Sequence, residues 1–207
     1  MKKLILVLAS LVGFASVSLG FETHGDITLS KIKEYKSFFT KNTCDQVLTD
    51  TFTICYSHER KSATAVYVEV TGDTVEKDID KRPPFFTDKR VKKAFRTTSK
   101  DYTNTGYDRG HFGASDASHD WDKKHQKATY SMANIVPQTP FANRYKFIAL
   151  EKHEREMAVK YGRLENLTIA YWNKRPKKIG KSELHVPSAF AKIFTDGKNY
   201  QECFFIW

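Results

Sequence analysis

The residues best suited to chemistry lie in one stretch of this 207-residue chain, from Tyr107 to Arg155. They comprise a histidine, two asparagines, a glutamate and several charged partners, and no serine or cysteine nucleophile belongs to the set. Such a set suits one hard metal ion and a phosphodiester. Its members are Asp108, Arg109, His111, Asn134, Asn143, Glu151 and Arg155.

Hydrolysis of a phosphodiester needs an activated water, charge stabilisation at phosphorus and a route for the leaving oxygen. His111 is the natural general base, because the ordinary histidine pKa of about 6.5 leaves it largely neutral near pH 7. General base catalysis contributes about 10²–10⁴-fold, so the remainder must come from a cation at the phosphate. Asn143 offers Mg²⁺ an uncharged amide oxygen, which predicts weak metal binding until the phosphate supplies further ligands.

A helix must position the last three of these residues. Thr139-Pro140 predicts the start of a helix that ends at Gly162. At about 100° per residue, Glu151 and Arg155 share one face of this helix, and Asn143 lies within reach of that face. The alternative for Glu151 and Arg155 is a solvated i,i+4 ion pair worth about 0.2–0.5 kcal/mol.

The elements around this stretch predict a mixed α+β domain. The β-branched runs Phe52 to Tyr56 and Ala65 to Val70 predict an antiparallel strand pair, with Val66, Val68 and Val70 on one face. A short helix is predicted from an N-cap at Ser118 to about Ala128. Further strands are predicted at Ser131 to Val136, Leu167 to Trp172, Leu184 to Val186, Ala189 to Phe194 and Tyr200 to Trp207, with Asp196-Gly197 as a hairpin turn.

A long surface excursion is predicted from Gly72 to Ser99. Loops of this length in compact domains usually have a task. This one carries Arg82, Arg90 and Arg96, any of which could reach a phosphate. For most of them, solvated charges on a loop remain the simpler interpretation.

The N-terminal residues 1–20 are typical of a cleavable signal peptide, which leaves 21–207 as a single domain. Lys2 and Lys3 precede an apolar run from Leu4 to Val17, and a small-residue cleavage site follows. The run is too short for a good membrane span, and no later segment is long and apolar enough for one. The formal charge of +10 predicts polyanionic partners, among which charge does not separate nucleic acid, anionic lipid and acidic polysaccharide.

Three cysteines are expected to include one disulfide if the chain is exported. Cys44 with Cys55 closes a short loop and is the favoured pair, although Cys203 could replace either. No Cys-x-x-Cys spacing supports a zinc site. The acidic run Asp116 to Asp122 fails as an EF-hand loop, because it lacks the required glycine and terminal glutamate. A zinc site built from histidines has no recognised spacing; the candidates are His111, His119 and His125.

The ordered motifs resemble the sugar-non-specific DNA/RNA endonucleases of the ββα-metal class. This family includes secreted bacterial nucleases and the mitochondrial endonuclease G. The resemblance rests on the run Asp108-Arg109-Gly110-His111, on Asn134 with Pro137-Gln138, and on Asn143 with Glu151 and Arg155. It spans roughly Phe52 to the C-terminal strands and implies a ββα-metal finger packed on a larger, mainly antiparallel sheet.

The resemblance also implies roles for the residues. His111 would be the general base, Asn143 the sole protein ligand of Mg²⁺, and Glu151 a holder of metal-bound waters. Asn134 would orient His111 or the scissile phosphate. On the substrate-binding side, Arg109 and Arg155 would contact phosphate, and Asp108 would brace the site.

The family also uses an arginine upstream of the motif to stabilise the transition state. Arg82 is the choice here because of its place after the strand, while Arg90 and Arg96 remain open. Two departures from the family pattern, Phe112 for methionine and Phe147 for tryptophan, keep apolar groups and should affect packing more than catalysis.

We therefore expect an exported endonuclease, periplasmic or secreted, that cuts DNA and RNA without sequence preference. The resemblance implies 5′-phosphate products and Mg²⁺ as the cofactor, with Mn²⁺ as an alternative. It leaves a homodimer open, and no stable membrane insertion is expected. The competing hypothesis is a catalytically inactive, basic exported protein that binds nucleic acid or acidic glycan.

Overall fold

A computed structural model describes residues 39–40, 43–75, 77, 79, 81–119 and 122–207. The predicted signal peptide, residues 1–20, lies outside the described residues. The sequence also predicts a short helix around Ile32 to Phe39, which lies outside the described residues apart from Phe39. None of the helices in the described ranges is long and apolar enough to cross a membrane.

The described strands form one large sheet and two small ones. In chain order they are β1 (Gln46–Thr49), β2 (Thr53–Ser57), β3 (Ser62–Thr71), β4 (Asp108–His111), β5 (Ile135–Gln138), β6 (Arg163–Tyr171), β7 (Lys178–Ile179), β8 (Leu184–His185), β9 (Ala189–Thr195) and β10 (Gln201–Ile206). The large sheet has the order β1-β2-β3-β6-β9-β10 with every neighbouring pair antiparallel. β4 pairs with β5, and β7 pairs with β8.

The helices of the described residues are short, with one exception. They are α1 (Asp116–His119), α2 (Lys123–Thr129) and α3 (Ile148–Tyr161), with 3₁₀ turns at Lys93–Phe95, Ser99–Tyr102 and Met132–Asn134. A π-helical segment, Ala142–Phe147, leads directly into α3. We call this segment and α3 together the site helix.

The strand pair predicted from the β-branched runs is confirmed. β2 and β3 pair antiparallel, and Val66, Val68 and Val70 are all buried on the core side. Phe147, Leu150 and Ala158 of the site helix belong to the same buried cluster as these valines. The site helix therefore packs across one face of the large sheet, because its apolar side chains have that sheet to bury them.

The predicted α+β class with a mainly antiparallel sheet is confirmed. β4, β5 and the site helix follow one another as a ββα unit, and β4 pairs with β5 in the register Asp108↔Gln138 to His111↔Ile135. The helix ends where predicted, since Gly162 has a φ of 78°, a conformation that favours glycine. The Oγ1 of Thr139 accepts from the Ala142 backbone N–H, so Thr139 caps the helix start as expected.

Two local predictions are wrong. Ser118 is not an N-cap; it lies inside α1 with no exposed surface and donates to Glu154. The N-cap of the following helix is Asp122, whose carboxylate accepts from two backbone N–H groups of that helix. The segment from Ser131 begins as a 3₁₀ turn rather than as a strand, and β5 continues through Pro137.

The favoured disulfide is confirmed. Cys44 and Cys55 are bonded, and the bridge joins the segment two residues before β1 to the middle of β2. Cys203 is a half-buried free thiol on β10. Burial raises the pKa of the Cys203 thiol, which makes it less reactive than an exposed cysteine.

Candidate active site

Two glycines, Gly110 in β4 and Gly113 just after it, lie where neighbouring side chains leave no room for a Cβ. A Cβ on Gly110 would lie 2.2 Å from the Gln138 side chain, which crosses β4 and donates to the His111 carbonyl. A Cβ on Gly113 would lie 2.3 Å from Val66 of β3. The backbone around His111 is therefore pressed against β3 and β5, and its position is set by their side chains.

His111 occupies the end of β4 in an aromatic pocket. Its ring packs edge-on against Tyr130, with 5.0 Å between ring centroids, and lies 6.0 Å from Phe85. Nε2 is shielded from solvent and has no hydrogen-bond partner among the described residues. Burial, together with the positive charge of Arg82, lowers the pKa of His111 to about 3. The imidazole is therefore neutral at physiological pH and able to accept a proton.

Arg82 is the one of the three upstream arginines with a largely exposed head. Its side chain is 76 % exposed, and Nε forms an ion pair of 3.1 Å with Asp116. Arg90 instead binds the buried Asp88 through Nε and Nη2, at 3.0 and 2.6 Å. Arg96 donates to two backbone carbonyls of its own loop. Since Arg90 and Arg96 hold the loop together, Arg82 is the arginine available at the His111 end of the site.

Asn143 is held by Asp108 of β4. Nδ2 of Asn143 donates to the Asp108 carboxylate at 3.1 Å, and the same carboxylate accepts two bonds from Arg144 at 2.8 and 2.9 Å. The Arg144 hydrogen bonds hold the pKa of Asp108 below its usual range, so the carboxylate stays ionised and only accepts. The amide must then turn Nδ2 towards Asp108, which directs Oδ1 away from it. Asp108 thus orients the oxygen that a metal ion would use.

The π-helical segment changes the angle between the side chains of Asn143 and Glu151 on the site helix. A π-helix closes its hydrogen bonds over five residues, so each residue turns less about the axis than in an α-helix. In a regular α-helix Asn143 and Glu151 would point about 80° apart. The smaller turn per residue between Asn143 and Phe147 reduces that angle and brings the two side chains towards the same side. Sequence reasoning missed this segment, and no residue pattern marks it.

Glu151 is partly buried on the site helix, and burial raises the pKa of its carboxyl to about 7. The nearby acids Glu154 and Asp116 raise this pKa further, while Lys192 and Arg155 lower it. The expected alternative, a Glu151–Arg155 ion pair, is not among the ion pairs of the described residues. Arg155 instead donates through Nη1 to the backbone carbonyl of Glu151 at 3.2 Å.

Lys192 links the two ends of the site, and sequence reasoning missed it. It lies on β9 with no exposed surface, and Nζ has no hydrogen-bond partner within the described part of the chain. The ammonium lies 5.3 Å from the ring of Phe147 of the site helix. It is close enough to lower the pKa of both His111 and Glu151. A lysine at an inward position of the apolar strand β9 was the available signal.

Asn134 makes its side-chain hydrogen bonds to backbone groups, including the loop that follows His111. Its side chain has no exposed surface, and Nδ2 donates to the carbonyls of Ala114 and Thr129 at 2.7 and 3.0 Å. Oδ1 accepts from the backbone N–H groups of Gly113 and Ala114. With both ends of the amide used by the backbone, Asn134 can orient neither His111 nor a phosphate directly. It fixes the loop that follows His111.

Arg109 is also anchored within the protein. Nε and Nη2 donate to the Ser99 carbonyl at 3.1 and 2.6 Å, and the guanidinium lies 5.6 Å from the centre of the Tyr102 ring. A phosphate contact would use its remaining N–H groups. Arg155 lies beside a shallow groove that Val75 and Val159 also line, one turn beyond Glu151.

Beneath the site, a buried polar network holds the helix to the sheet. Glu154 has no exposed surface and accepts from Ser118 of α1 and Asn166 of β6. Asn166 also donates to the carbonyl of Gly113, in the loop that follows His111. The loop, α1, β6 and the site helix are therefore joined by bonds that exclude water, which fixes their relative positions.

The donor set fits a hard divalent ion with few protein ligands. No group of three His, Cys, Asp or Glu side chains in the described ranges is arranged to hold a metal ion. Asn143 Oδ1 is oriented by Asp108, and the Glu151 carboxyl lies on the same helix. One amide oxygen with a nearby carboxyl suits an ion such as Mg²⁺, which keeps several waters and takes oxygens from a phosphate.

The chain is similar to known nucleases. The family model described as DNA/RNA non-specific endonuclease matches residues 33–205. The mitochondrial endonuclease G of Homo sapiens is 28% identical over 155 residues, which cover 70% of this chain and 52% of that protein. A nuclease of a Nostoc strain is 37% identical over 98 residues, covering 47% of this chain and 35% of that protein. The matched part of this chain spans about half the length of the human relative and about a third of the length of the bacterial one.

The fold has a solved counterpart. The crystal structure of an EndoG/EndoGI complex matches with a TM-score of 0.72 at 22% identity, covering 88% of this chain and 81% of the other. At this identity the likeness concerns the fold alone.

Proposed function

Because this chain belongs to the DNA/RNA non-specific endonuclease family, we propose that it is a metal-dependent phosphodiesterase that cuts DNA and RNA internally without sequence preference. The family is generally dependent on a divalent metal; for this chain we propose Mg²⁺, with Mn²⁺ as an alternative, and 5′-phosphate product ends. The proposal is carried by the ββα unit, in which β4 bears both a neutral His111 with a solvent-shielded Nε2 and the Asp108 carboxylate that orients the Asn143 oxygen.

Each residue of the site has a separate role in the proposed reaction. His111 accepts the proton of the attacking water at Nε2, and this role accounts for a buried nitrogen without a protein partner. Arg82 stabilises negative charge on the phosphate from the exposed side of the site. A divalent ion bound at Asn143 would supply charge stabilisation for the phosphate and the leaving oxygen. Glu151 accepts hydrogen bonds from water beside that position.

The lack of sequence preference follows from the chemistry of the contacts. The candidate groups are arginines, an amide and an imidazole directed at phosphate and water, and phosphate contacts carry no sequence information. A formal charge of +10 favours association with any polynucleotide and predicts that binding weakens with salt. The same charge would serve the competing hypothesis, an inactive binding protein.

We further propose that the protein works outside the cytoplasm, in the periplasm or the medium. The features typical of a signal peptide in residues 1–20 support this, and so does the disulfide between Cys44 and Cys55, because disulfides persist in oxidising compartments. Fractionation of the producing cells, with an antibody against the mature chain, would test it. Recovery of the protein only from the cytosol would contradict it.

The decisive experiment is digestion of supercoiled plasmid and single-stranded RNA with Mg²⁺ and with EDTA. We expect cutting of both substrates with Mg²⁺ and none with EDTA. His111→Ala should lose cutting by about 10²–10⁴-fold, the range for general base catalysis. His58→Ala, in the turn between β2 and β3, is the matched control and should cut normally.

The opposite result has a clear meaning. If the wild-type protein cuts neither substrate with any divalent metal, yet binds both in a salt-dependent manner, the inactive binding hypothesis replaces the nuclease. If His111→Ala cuts as fast as wild type, the site assignment fails even though the protein is a nuclease.

A further inference from the structure

Lys192 is a buried lysine that points from the large sheet towards the site helix. It has no exposed surface, although lysine is among the residue types that are least often fully buried. Side chains alternate along a strand, so Lys192 lies on the same face of β9 as Phe190 and Phe194. Both phenylalanines belong to the buried cluster that contains Phe147 of the site helix. The lysine side chain therefore lies between β9 and that helix.

The immediate surroundings of the Lys192 ammonium do not compensate its charge. Nζ lies 5.3 Å from the centre of the Phe147 ring and 5.8 Å from that of the Phe194 ring. Aromatic rings attract a cation but offer it no acceptor oxygen. Among the residues that the structure describes, Nζ has no hydrogen-bond partner. A buried charge without a counter-charge is costly, so Lys192 requires an anion nearby.

Two acidic side chains of the site helix are candidates for that anion. Glu154 already accepts hydrogen bonds from Ser118 and Asn166, one at each carboxylate oxygen. The Glu151 carboxyl accepts no hydrogen bond from any other described group. Phe147 and Glu151 are four residues apart in helical conformation, so their side chains lie on one face of the helix. The ammonium beside Phe147 is therefore near the face that carries Glu151.

The charges around Glu151 support this pairing. They come from three elements: Asp116 of α1, Glu154 and Arg155 of the site helix, and Lys192 of β9. Burial is the largest influence that raises the pKa of Glu151, and the Lys192 ammonium is the largest that lowers it, ahead of Arg155. Lys192 is thus the main positive charge that favours the ionised form of this carboxyl.

We propose that Lys192 is a positioning residue whose buried ammonium supplies the counter-charge of Glu151 across the boundary between sheet and helix, and thereby keeps this carboxyl ionised. A carboxylate only accepts hydrogen bonds, whereas a protonated carboxyl also donates one. The ionised form is therefore the one that accepts hydrogen bonds from water. This inference rests on the proposed function, which gives Glu151 that task. Lys192 itself has no exposed surface and acts without touching the substrate.

Cleavage kinetics of Lys192→Met give the first test, because methionine keeps the length of the side chain and removes its charge. With plasmid and saturating Mg²⁺ near neutral pH, we expect kcat to fall about 10–100-fold, the range for residues that support a metal site through another group. KM for the plasmid should change by less than about twofold, because the buried side chain makes no contact with the substrate.

Two further variants control for the loss of the lysine. Lys198→Met, on the exposed hairpin turn, removes the same charge at a distance from the site and should cut normally. Lys192→Arg keeps the charge at the same position and should cut faster than Lys192→Met. Circular dichroism shows whether each variant is folded; Lys192→Gln, which is also uncharged, replaces Lys192→Met if the latter is not.

The pH dependence of kcat separates the effect of the charge from loss of packing. Removal of the ammonium raises the pKa of Glu151, so the acidic limb of the profile should move to higher pH in Lys192→Met. Activity should then recover in part at alkaline pH, where the carboxyl ionises unaided. A variant damaged only in packing would keep the wild-type profile at a lower rate.

A double-mutant cycle with Glu151→Gln shows whether Lys192 acts through Glu151. The effects of independent residues multiply in rate, whereas those of residues that act as a unit do not. Glu151→Gln has no carboxyl to ionise, so the addition of Lys192→Met should change its kcat by less than about twofold.

Unfolding in urea with EDTA tests the same pair without cleavage. As pH rises from 5 to 8, the urea midpoint of Lys192→Met should fall relative to wild type, because the ionising carboxyl has lost its counter-charge. The relative fall should be absent when the comparison is made in the Glu151→Gln background.

Three outcomes would overturn the inference: a wild-type kcat in Lys192→Met, a slower variant with an unmoved pH profile, and an equal effect of Lys192→Met with and without Glu151. A wild-type protein that cuts nothing with any divalent metal would instead refute the proposed function. In that case the unfolding cycle would still show whether Lys192 and Glu151 are coupled.

Discussion

The side chain of Asn143 illustrates how one hydrogen bond can decide a chemical role. An asparagine amide presents either its oxygen or its nitrogen to a metal ion, and only the oxygen binds. Nδ2 donates a hydrogen bond to the Asp108 carboxylate, which selects the orientation that the proposed metal role requires. Arg144 in turn keeps that carboxylate ionised, because its two hydrogen bonds lower the pKa of Asp108.

This geometry predicts that a stronger ligand would work less well at position 143. Asn143→Asp loses the hydrogen bond to Asp108 and places a second carboxylate beside it. Like charges repel, so we expect loss of activity and a higher Mg²⁺ concentration for half-maximal cutting. A Mg²⁺ titration of plasmid cleavage measures both, with Asn199→Asp on an exposed turn as the control. Improved metal affinity in Asn143→Asp would contradict the role of Asp108.

Protonation of His111 and Glu151 should appear in the pH dependence of stability. The pKa of His111 is lowered to about 3 in the folded state, so the folded protein loses stability as pH falls below about 6.5. The pKa of Glu151 is raised to about 7, so its burial costs stability as pH rises from about 4.5 to about 7.

The two effects can be separated by substitution in metal-free buffer with EDTA. Relative to wild type, we expect Glu151→Gln to gain stability as pH rises from 5 to 8, since glutamine is never charged. His111→Gln should gain relative stability as pH falls from 7 to 4. Urea unfolding at each pH measures these differences. Parallel pH dependence of wild type and Glu151→Gln would show that the Glu151 carboxyl is solvated.

At the scale of elements, the loop after His111 connects β4 to the neighbouring strands and helices. The Asn134 side chain binds three backbone groups of this loop and the carbonyl of Thr129 at the end of α2, and Asn166 donates to the Gly113 carbonyl. Glu154 connects the same network to the site helix. The π-helical segment completes the arrangement, because it turns Asn143 towards the side of Glu151. The positions of His111 and Asn143 are thus set by hydrogen bonds between elements as well as by the geometry of each element.

Asn134→Ala should therefore act through stability. It leaves buried backbone groups without partners, each at a cost of roughly 1–3 kcal/mol. We expect a clear fall in the urea midpoint together with a fall in cleavage rate, while Asn199→Ala on an exposed turn changes neither. Full stability with lost activity would show instead that Asn134 acts on the substrate directly.

At the scale of the whole molecule, the disulfide stabilises one edge of the large sheet and contributes no residue to the candidate site. Cys44 and Cys55 fasten the start of β1 to β2 at one edge of the large sheet. β9, with the buried Lys192, lies on the other side of β6, and the site helix packs across the same sheet. The disulfide and the candidate site therefore lie in different parts of the sheet.

Cys44→Ser/Cys55→Ser should lower the free energy of unfolding by about 2–4 kcal/mol, the usual range for a natural disulfide. Because the bridge makes no contact with His111, Asn143 or Arg82, kcat at 20 °C should remain near wild type. Cys203→Ser, which removes the half-buried free thiol, is the control and should change stability less. Chemical denaturation and plasmid cleavage measure the two quantities; a large loss of kcat in the folded double variant would contradict this separation.

The sequence by itself predicted the strand pair β2–β3 and the start and end of the site helix, and it favoured the disulfide that the structure contains. These features depend on contacts within a few residues, or on residue types whose chemistry is independent of their surroundings. Turn residues, β-branched alternation and helix caps act locally, so a linear pattern contains the information. The helix around Ser118 was misplaced because Asp122, which was also in the sequence, caps it better.

Only the tertiary structure shows the surroundings that lower the pKa of His111 and raise that of Glu151, the ion pair of Arg82 with Asp116, and the backbone hydrogen bonds of Asn134. Each depends on groups brought from distant parts of the chain. Burial beside Phe85 and Tyr130 lowers the pKa of His111, and burial raises that of Glu151 while Lys192 from β9 opposes the rise. Burial and charge act over short distances in space, and the folded chain alone sets those distances.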